Sequence, residues 1–252
     1  MIGHKLYGKG LEKVLVMHDW FSDCSSYDAM LPFLDVNRFT YAFMDLRGYG
    51  RSRAIQGNCS VEEAAQDALA LADHLRWNQF YVVGHSMSGM IAQRIALDAQ
   101  PRVKGVVAIT PVPACGSPIP EDVMTFLEGA AHSNNQSACQ IIGFMTGNKL
   151  PDRFCEYKVQ QWRATSIPEA RVAYLRMFAE TNFADQVKGI ETPFLVIIGG
   201  HDAEGHSESV MKETFLKWYP KAKLAIIQNS GHYPMQETPL YLLGLIENFL
   251  GA

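Results

Sequence analysis

The stretch that decides the fold is "YVVGHSMSGM", residues 81–90. Tyr81, Val82 and Val83 form an apolar run that stops at Gly84, and an apolar pattern with helical spacing begins just beyond Ser88. A strand that passes into a helix through so tight a turn leaves little room around the turn residue. The positions two before and two after it must be small, and here they are Gly84 and Ser88. The turn residue, Ser86, is then held in a strained conformation that costs of order 1–3 kcal/mol, which the surrounding fold must enforce. In return its hydroxyl stands beyond the carboxyl end of the sheet. The N–H of the next residue, Met87, points to the same space from a helix N-terminus.

Outward from this turn the chain alternates strand and helix. "KLYGKGLEKVLVMH" reads as two strands around a Gly turn, and "FTYAFMDLRGYGRS" as a strand ending in a Gly-rich loop. "NCSVEEAAQDALALADHL" is a helix with a capping box, Ser60 and Glu63. "VKGVVAIT", "TPFLVIIGG" and "KAKLAIIQNS" are strands, "SESVMKETFLKWYP" is a helix, and "TPLYLLGLIENFLG" closes the chain as another. Short continuous apolar strands between helices imply a mostly parallel central sheet covered by helices on both faces. The rhythm breaks once, from about Pro113 to Asp185, where only helical stretches follow one another. The last of these, "PEARVAYLRMFAE", follows a second expected capping box, Ser166 and Glu169. The expected division is therefore an α/β core of residues 1–112 and 186–252, interrupted by an all-helical cap of residues 113–185.

A serine hydroxyl is a poor nucleophile at neutral pH and needs a base, and the base needs a carboxylate to fix its tautomer and stabilise its charged form. Both are found at strand ends. "FLVIIGGHDAEG" places Asp202 just past one strand, and "AIIQNSGHYPMQETP" places His232 just past the next. In a parallel sheet both loops lie at the same edge as the Ser86 turn. Glu204 and Glu208 compete for the acid role, and the position directly after the strand favours Asp202.

The four segments "MDLRGYGRS", "VVGHSMSGM", "IIGGHDAEG" and "NSGHYPMQETP" together resemble the α/β-hydrolase fold superfamily, in its esterase-like members, and the resemblance spans essentially the whole chain. It implies an α/β-hydrolase fold with Ser86, Asp202 and His232 as a catalytic triad. It also implies that the loop after "VLVMH" forms an oxyanion hole from the backbone N–H groups of Trp20 and Met87. The family usually has His-Gly at the start of that loop, whereas here His18 is followed by Asp19. A carboxylate beside an oxyanion hole opposes the charge that must form there. The Asp19 side chain is therefore expected to point away, to solvent or to Arg47. The alternative is that it faces the pocket and acts there on a polar group or a water. Arg47 and His85 are read as structural, and His201 and His206 as solvated loop residues.

The cap is expected to cover the nucleophile, with Trp162, Phe144, Met145 and Phe178 as candidate pocket residues. No cofactor is called for, and His201, Asp202 and His206 do not compose a convincing metal set. A net charge of −4 gives no footprint for nucleic acid. No apolar run reaches the roughly 20 residues of a membrane helix. Five cysteines without a CxxC pair suit free thiols in a reducing compartment, and "MIGHKLYGKG" lacks an apolar signal core. The expectation is a cytoplasmic monomer or homodimer acting on a small ester or lactone. Readings kept open on the same fold are a cofactor-free perhydrolase or haloperoxidase-like enzyme, a carbon–carbon bond hydrolase, and a slow-turnover ligand receptor.

Overall fold

A computed structural model describes residues 1–251. The apolar runs become seven strands: β1 (His4–Gly8), β2 (Glu12–Met17), β3 (Phe39–Met44), β4 (Phe80–His85), β5 (Val103–Ile109), β6 (Phe194–Gly199) and β7 (Ala222–Ile227). They form one sheet in the order β1-β3-β2-β4-β5-β6-β7. All neighbours run parallel except β1, which pairs antiparallel with β3, from His4 opposite Met44 to Gly8 opposite Thr40. The first two strands are thus adjacent in sequence but not in the sheet. β2 instead enters the centre between β3 and β4, where its Val14–Met17 segment is buried on both faces.

Between and after the strands lie α1 (Val61–His74), α2 (Met87–Asp98), α3 (Glu121–His132), α4 (Asn135–Met145), α5 (Asp152–Thr165), α6 (Pro168–Glu180), α7 (Ala184–Val187), α8 (Glu208–Glu213), α9 (Phe215–Trp218), α10 (Pro234–Glu237) and α11 (Pro239–Leu250). Alternation along β4 sorts the helices onto two faces. Val83 lies with Val16, Phe43, Leu243 and Ile246 on the α11 side. Its neighbour Gly84 faces the other way, against Ser88 and Ala92 of α2.

Residues 113–185 contain helices α3–α6 and the start of α7, and no strand of the sheet. A β-bridge pairs Ser166 with Tyr49, and the His232 N–H donates to the Met145 carbonyl at 3.0 Å. The two capping boxes have different outcomes. Ser60 Oγ accepts from the Glu63 N–H at 3.2 Å, and the Glu63 carboxylate accepts from the Cys59 N–H at 2.8 Å. The second box does not form. Pro168 opens α6, so Ile167 is its cap residue. Ser166 closes α5 instead, donating to the Trp162 carbonyl and accepting from Arg171 Nε at 2.8 Å. The expected helix over 207–220 also breaks, into α8 and α9 at Thr214. Among the described residues, no helix is long and apolar enough to cross a membrane.

Candidate active site

The parallel strands end at one edge, and their following loops converge there. Ser86 joins β4 to α2 with φ 56° and ψ −117°, a region that non-glycine residues enter only under constraint. The constraint is visible. A Cβ on Gly84 would collide with the Ser88 carbonyl oxygen, and one on Gly89 with Pro111. Ser88 is more than small: its hydroxyl donates to the His18 carbonyl at 2.5 Å and so ties the turn to the loop after β2.

Ser86 Oγ lies 2.9 Å from His232 Nε2, and His232 Nδ1 lies 2.8 Å from Asp202 Oδ2. The Asp202 carboxylate also accepts from the Ala203 N–H at 2.7 Å. The His232 carbonyl is fixed by His85 Nε2–H at 2.7 Å and by the Thr110 hydroxyl at 3.2 Å. His85 is therefore a brace beneath the histidine loop. Burial lowers the His232 imidazole to about 3, although the Asp19 charge opposes the shift. Burial pushes the Asp202 carboxyl up to about 6, against the pull of His206 and the Ala203 N–H. At neutral pH the histidine is thus a free base and the aspartate is ionised, the states that a general base and its orienting partner need.

The loop after β2 is held by His18, whose Nδ1–H donates to the Asp19 carbonyl at 2.7 Å while Nε2 accepts from the Leu46 N–H at 3.0 Å. The Trp20 indole donates to the Arg171 carbonyl of α6 at 2.7 Å, and the Trp20 carbonyl accepts from Tyr49 at 2.9 Å. Both ends of Trp20 are thus anchored, while its N–H and that of Met87 donate to no acceptor among the described residues.

The expectation that Asp19 turns to solvent or to Arg47 does not hold. Arg47 is occupied by Asp67, Glu63 and the Gln56 carbonyl. Asp19 is 1% exposed and lines the cavity with Ser86. Its carboxylate accepts from the Phe21 N–H at 3.1 Å and from the Ser22 hydroxyl at 2.6 Å. Lys158 Nζ of α5 stands 3.9 Å away, and His85 Nδ1 3.8 Å. Burial would push this carboxyl up, but Lys158, His85 and Ser22 outweigh it and hold it well below the usual carboxylate range.

A cavity of about 240 Å³ opens at Ser86. Its floor carries Asp19, Trp20, Phe21, Ser86 and His232, and residues 113–185 contribute Ser117, Leu127, Ile141, Met145 and Phe178. Of the candidate pocket residues, Met145 and Phe178 reach the cavity. Phe144 does not, being 62% exposed on the outside of α4. Trp162 is fully buried one layer behind, packed on Trp20 and Phe21 with ring centroids 4.8 and 4.2 Å apart. His201 faces Lys149. His206 is not a solvated loop residue: it lines the cavity with its ring centroid 4.6 Å from that of His232. With Asp202 and His232 it forms a set whose ligand-capable atoms lie within 4.8 Å of one another, although two of the three already share a hydrogen bond. Lys158 and Tyr233 were missed from sequence. The lysine sits at an ordinary helical position, and nothing local distinguishes it from a solvated one.

Comparison with known proteins agrees with this fold. The model of the alpha/beta hydrolase family matches residues 14–243. A non-heme haloperoxidase of Rhodococcus erythropolis is 26% identical, over 87% of this chain and 87% of its own length. A pimeloyl-[acyl-carrier protein] methyl ester esterase of Vibrio cholerae is 28% identical, over 95% of this chain and 94% of its own. Among solved structures, an esterase from Exiguobacterium antarcticum superposes with a TM-score of 0.87 at 16% identity, covering 100% of this chain and 96% of its own. With the strand order, the strained Ser86 turn and the family match over nearly its full length, this chain belongs to the alpha/beta hydrolase family.

Proposed function

We propose that the protein is a serine hydrolase that cleaves small, fairly apolar carboxylic esters or lactones through an acyl-enzyme. The observation that carries this reading is the continuous chain of hydrogen bonds from Ser86 through His232 to Asp202, at 2.9 and 2.8 Å, opening into a largely apolar cavity. Ser86 Oγ attacks the carbonyl carbon as His232 Nε2 takes its proton. Asp202 holds the imidazole in the tautomer that makes this possible and stabilises the imidazolium. The oxyanion is received by the N–H groups of Trp20 and Met87, each worth about 3 to 4 kcal/mol by comparison with a measured hydrolase donor. His232 then returns the proton to the leaving alcohol, and water, activated by the same histidine, releases the acid.

Helices α3–α6 act as a cap. The cavity volume of about 240 Å³ lies below the roughly 300–1,000 Å³ usual for small-molecule sites, which favours a short acyl or alcohol group. The Vibrio cholerae relative, named as a methyl ester esterase, supports ester cleavage. The haloperoxidase relative keeps a second reading in play, in which hydrogen peroxide replaces water at the same acyl-enzyme.

The test is turnover of p-nitrophenyl acetate and its longer-chain homologues by the purified protein. Ser86→Ala should remove nearly all turnover while leaving the melting temperature within a few degrees, and a fluorophosphonate should label Ser86. Turnover retained by the alanine variant would overturn the reading. Peracid formation faster than acid formation in peroxide would move it to the second.

A further inference from the structure

Lys158 is costly to explain as packing. It lies on α5, is 0% exposed, and its ammonium donates to no acceptor among the described residues. Its ammonium lies 3.9 Å from the Asp19 carboxylate and over the face of the Tyr233 ring, 4.4 Å from the centroid. Both of those residues line the Ser86 cavity, while Lys158 stands behind them. Asp19 does not need the lysine to be held in place, because the Phe21 N–H and the Ser22 hydroxyl already fix both of its oxygens. An ammonium buried without hydrogen bonds weakens a fold relative to an apolar side chain of similar length. Burial pushes its ammonium down and the Asp19 carboxylate beside it opposes that shift, so what Lys158 supplies, paired with Asp19, is charge.

That charge matters because of where Asp19 sits. The next residue is Trp20, whose N–H donates to no acceptor among the described residues. Two like charges roughly 6–10 Å apart in an effective dielectric near 20 repel enough to change a rate about tenfold to a hundredfold. An uncompensated Asp19 would impose that penalty on any reaction that builds negative charge on a carbonyl oxygen.

We infer that Lys158 is a positioning residue of the cap that neutralises Asp19 from behind the cavity wall, so that an oxyanion can form beside Trp20. This rests on the ester-hydrolase reading. It also makes the site composite: the core supplies the reacting groups, and α5 supplies the charge that lets them work.

A double-mutant cycle tests it in the full-length protein, with p-nitrophenyl acetate turnover and the rate of fluorophosphonate labelling of Ser86 as readouts. Labelling also builds charge in the oxyanion hole and needs no knowledge of the natural substrate. Lys158→Met should lower kcat and the labelling rate about tenfold to a hundredfold, with KM changed less than about threefold. Adding Asp19→Asn to Lys158→Met should recover at least roughly tenfold of that loss, because the charge to be compensated is gone. If Lys158→Met keeps its kcat, or if the double variant stays as slow as the single one, the inference is overturned and Lys158 is only packed. Should Lys158→Met fail to fold, Lys158→Gln takes its place with the same two outcomes. If wild-type protein shows neither Ser86-dependent turnover nor labelling, the ester-hydrolase reading itself has failed, and this inference with it.

Discussion

Two loops at the carboxyl edge of the sheet each bury a carboxylate at the Ser86 site, and the fold treats them in opposite ways. Asp202, after β6, touches a histidine and one backbone N–H, and burial pushes it up to about 6. Asp19, after β2, has two donors, a buried ammonium and a histidine around it, and sits well below its ordinary range. A carboxylate kept close to its titration range responds to the state of its partner. One locked as an anion is a fixed charge that must be cancelled. Position after a strand places a carboxylate at the site, but its neighbours decide what it does.

Three measurements break or sharpen this contrast. The largest effect is expected from Asp202→Asn, which keeps the packing but removes the negative partner of His232. kcat should fall about 10⁴-fold, by analogy with other triads, with the fold intact by circular dichroism. Asp19→Asn should cost far less, under about tenfold. A larger loss for Asp19→Asn than for Asp202→Asn would reverse the roles given to the two acids.

The next effect is on stability against acid. His85 and His232, both lowered to about 3, and His206, lowered to about 4, stay neutral in the folded chain while the unfolded chain takes up protons below about pH 6.5. Asp202 works in the opposite sense, because between its ordinary 3.8 and about 6 the folded chain holds the extra proton. The histidines outweigh it, so stability falls as pH falls from 6 to 4. The slope should be about 1.4–2.7 kcal/mol per pH unit, for one to two net protons. Urea unfolding at pH 7, 6, 5 and 4 reads it directly. Asp202→Asn removes the opposing group and should steepen the slope. Asp19→Asn should leave it unchanged above pH 5, since Asp19 titrates below that window in both states. A flat profile would mean that these histidines are charged in the folded protein.

The smallest effect is expected at Glu204, an exposed acid two residues from Asp202. Glu204→Gln should leave kcat and KM within about twofold. A loss there matching that of Asp202→Asn would show that proximity to the strand end misleads.

The same contrast shows what can be read from sequence. Ser86, Asp202 and His232 each follow an apolar run, so the parallel sheet brings them to one edge whatever the details of their side chains. The Ser60 box forms because Ser60 stands directly before α1 and the Glu63 carboxylate reaches the Cys59 N–H with one oxygen while Arg47 takes the other, and it is likewise local. The Ser166 box fails because Pro168 shifts the helix start and Arg171 claims the serine. Phe144 and Met145 are neighbours on α4, yet one is exposed and the other lines the cavity, since α4 has to be docked before its inner face is defined. Lys158 and His206 illegibly carry ordinary local patterns, and only the packing of residues far apart in the chain gives them their surroundings.

The anchoring of Trp20 bears on how freely the two parts of this chain could be exchanged. Its indole is fastened to α6 and its carbonyl to Tyr49, while its neighbour Asp19 leans on α5. Helices of this kind invite treatment as a cassette to be swapped for a new specificity. Here a graft would have to bring a carbonyl for the indole and a cation for Asp19. On the proposed mechanism, a chimera made without them would inherit the new pocket and lose the Trp20 donor assigned to the oxyanion.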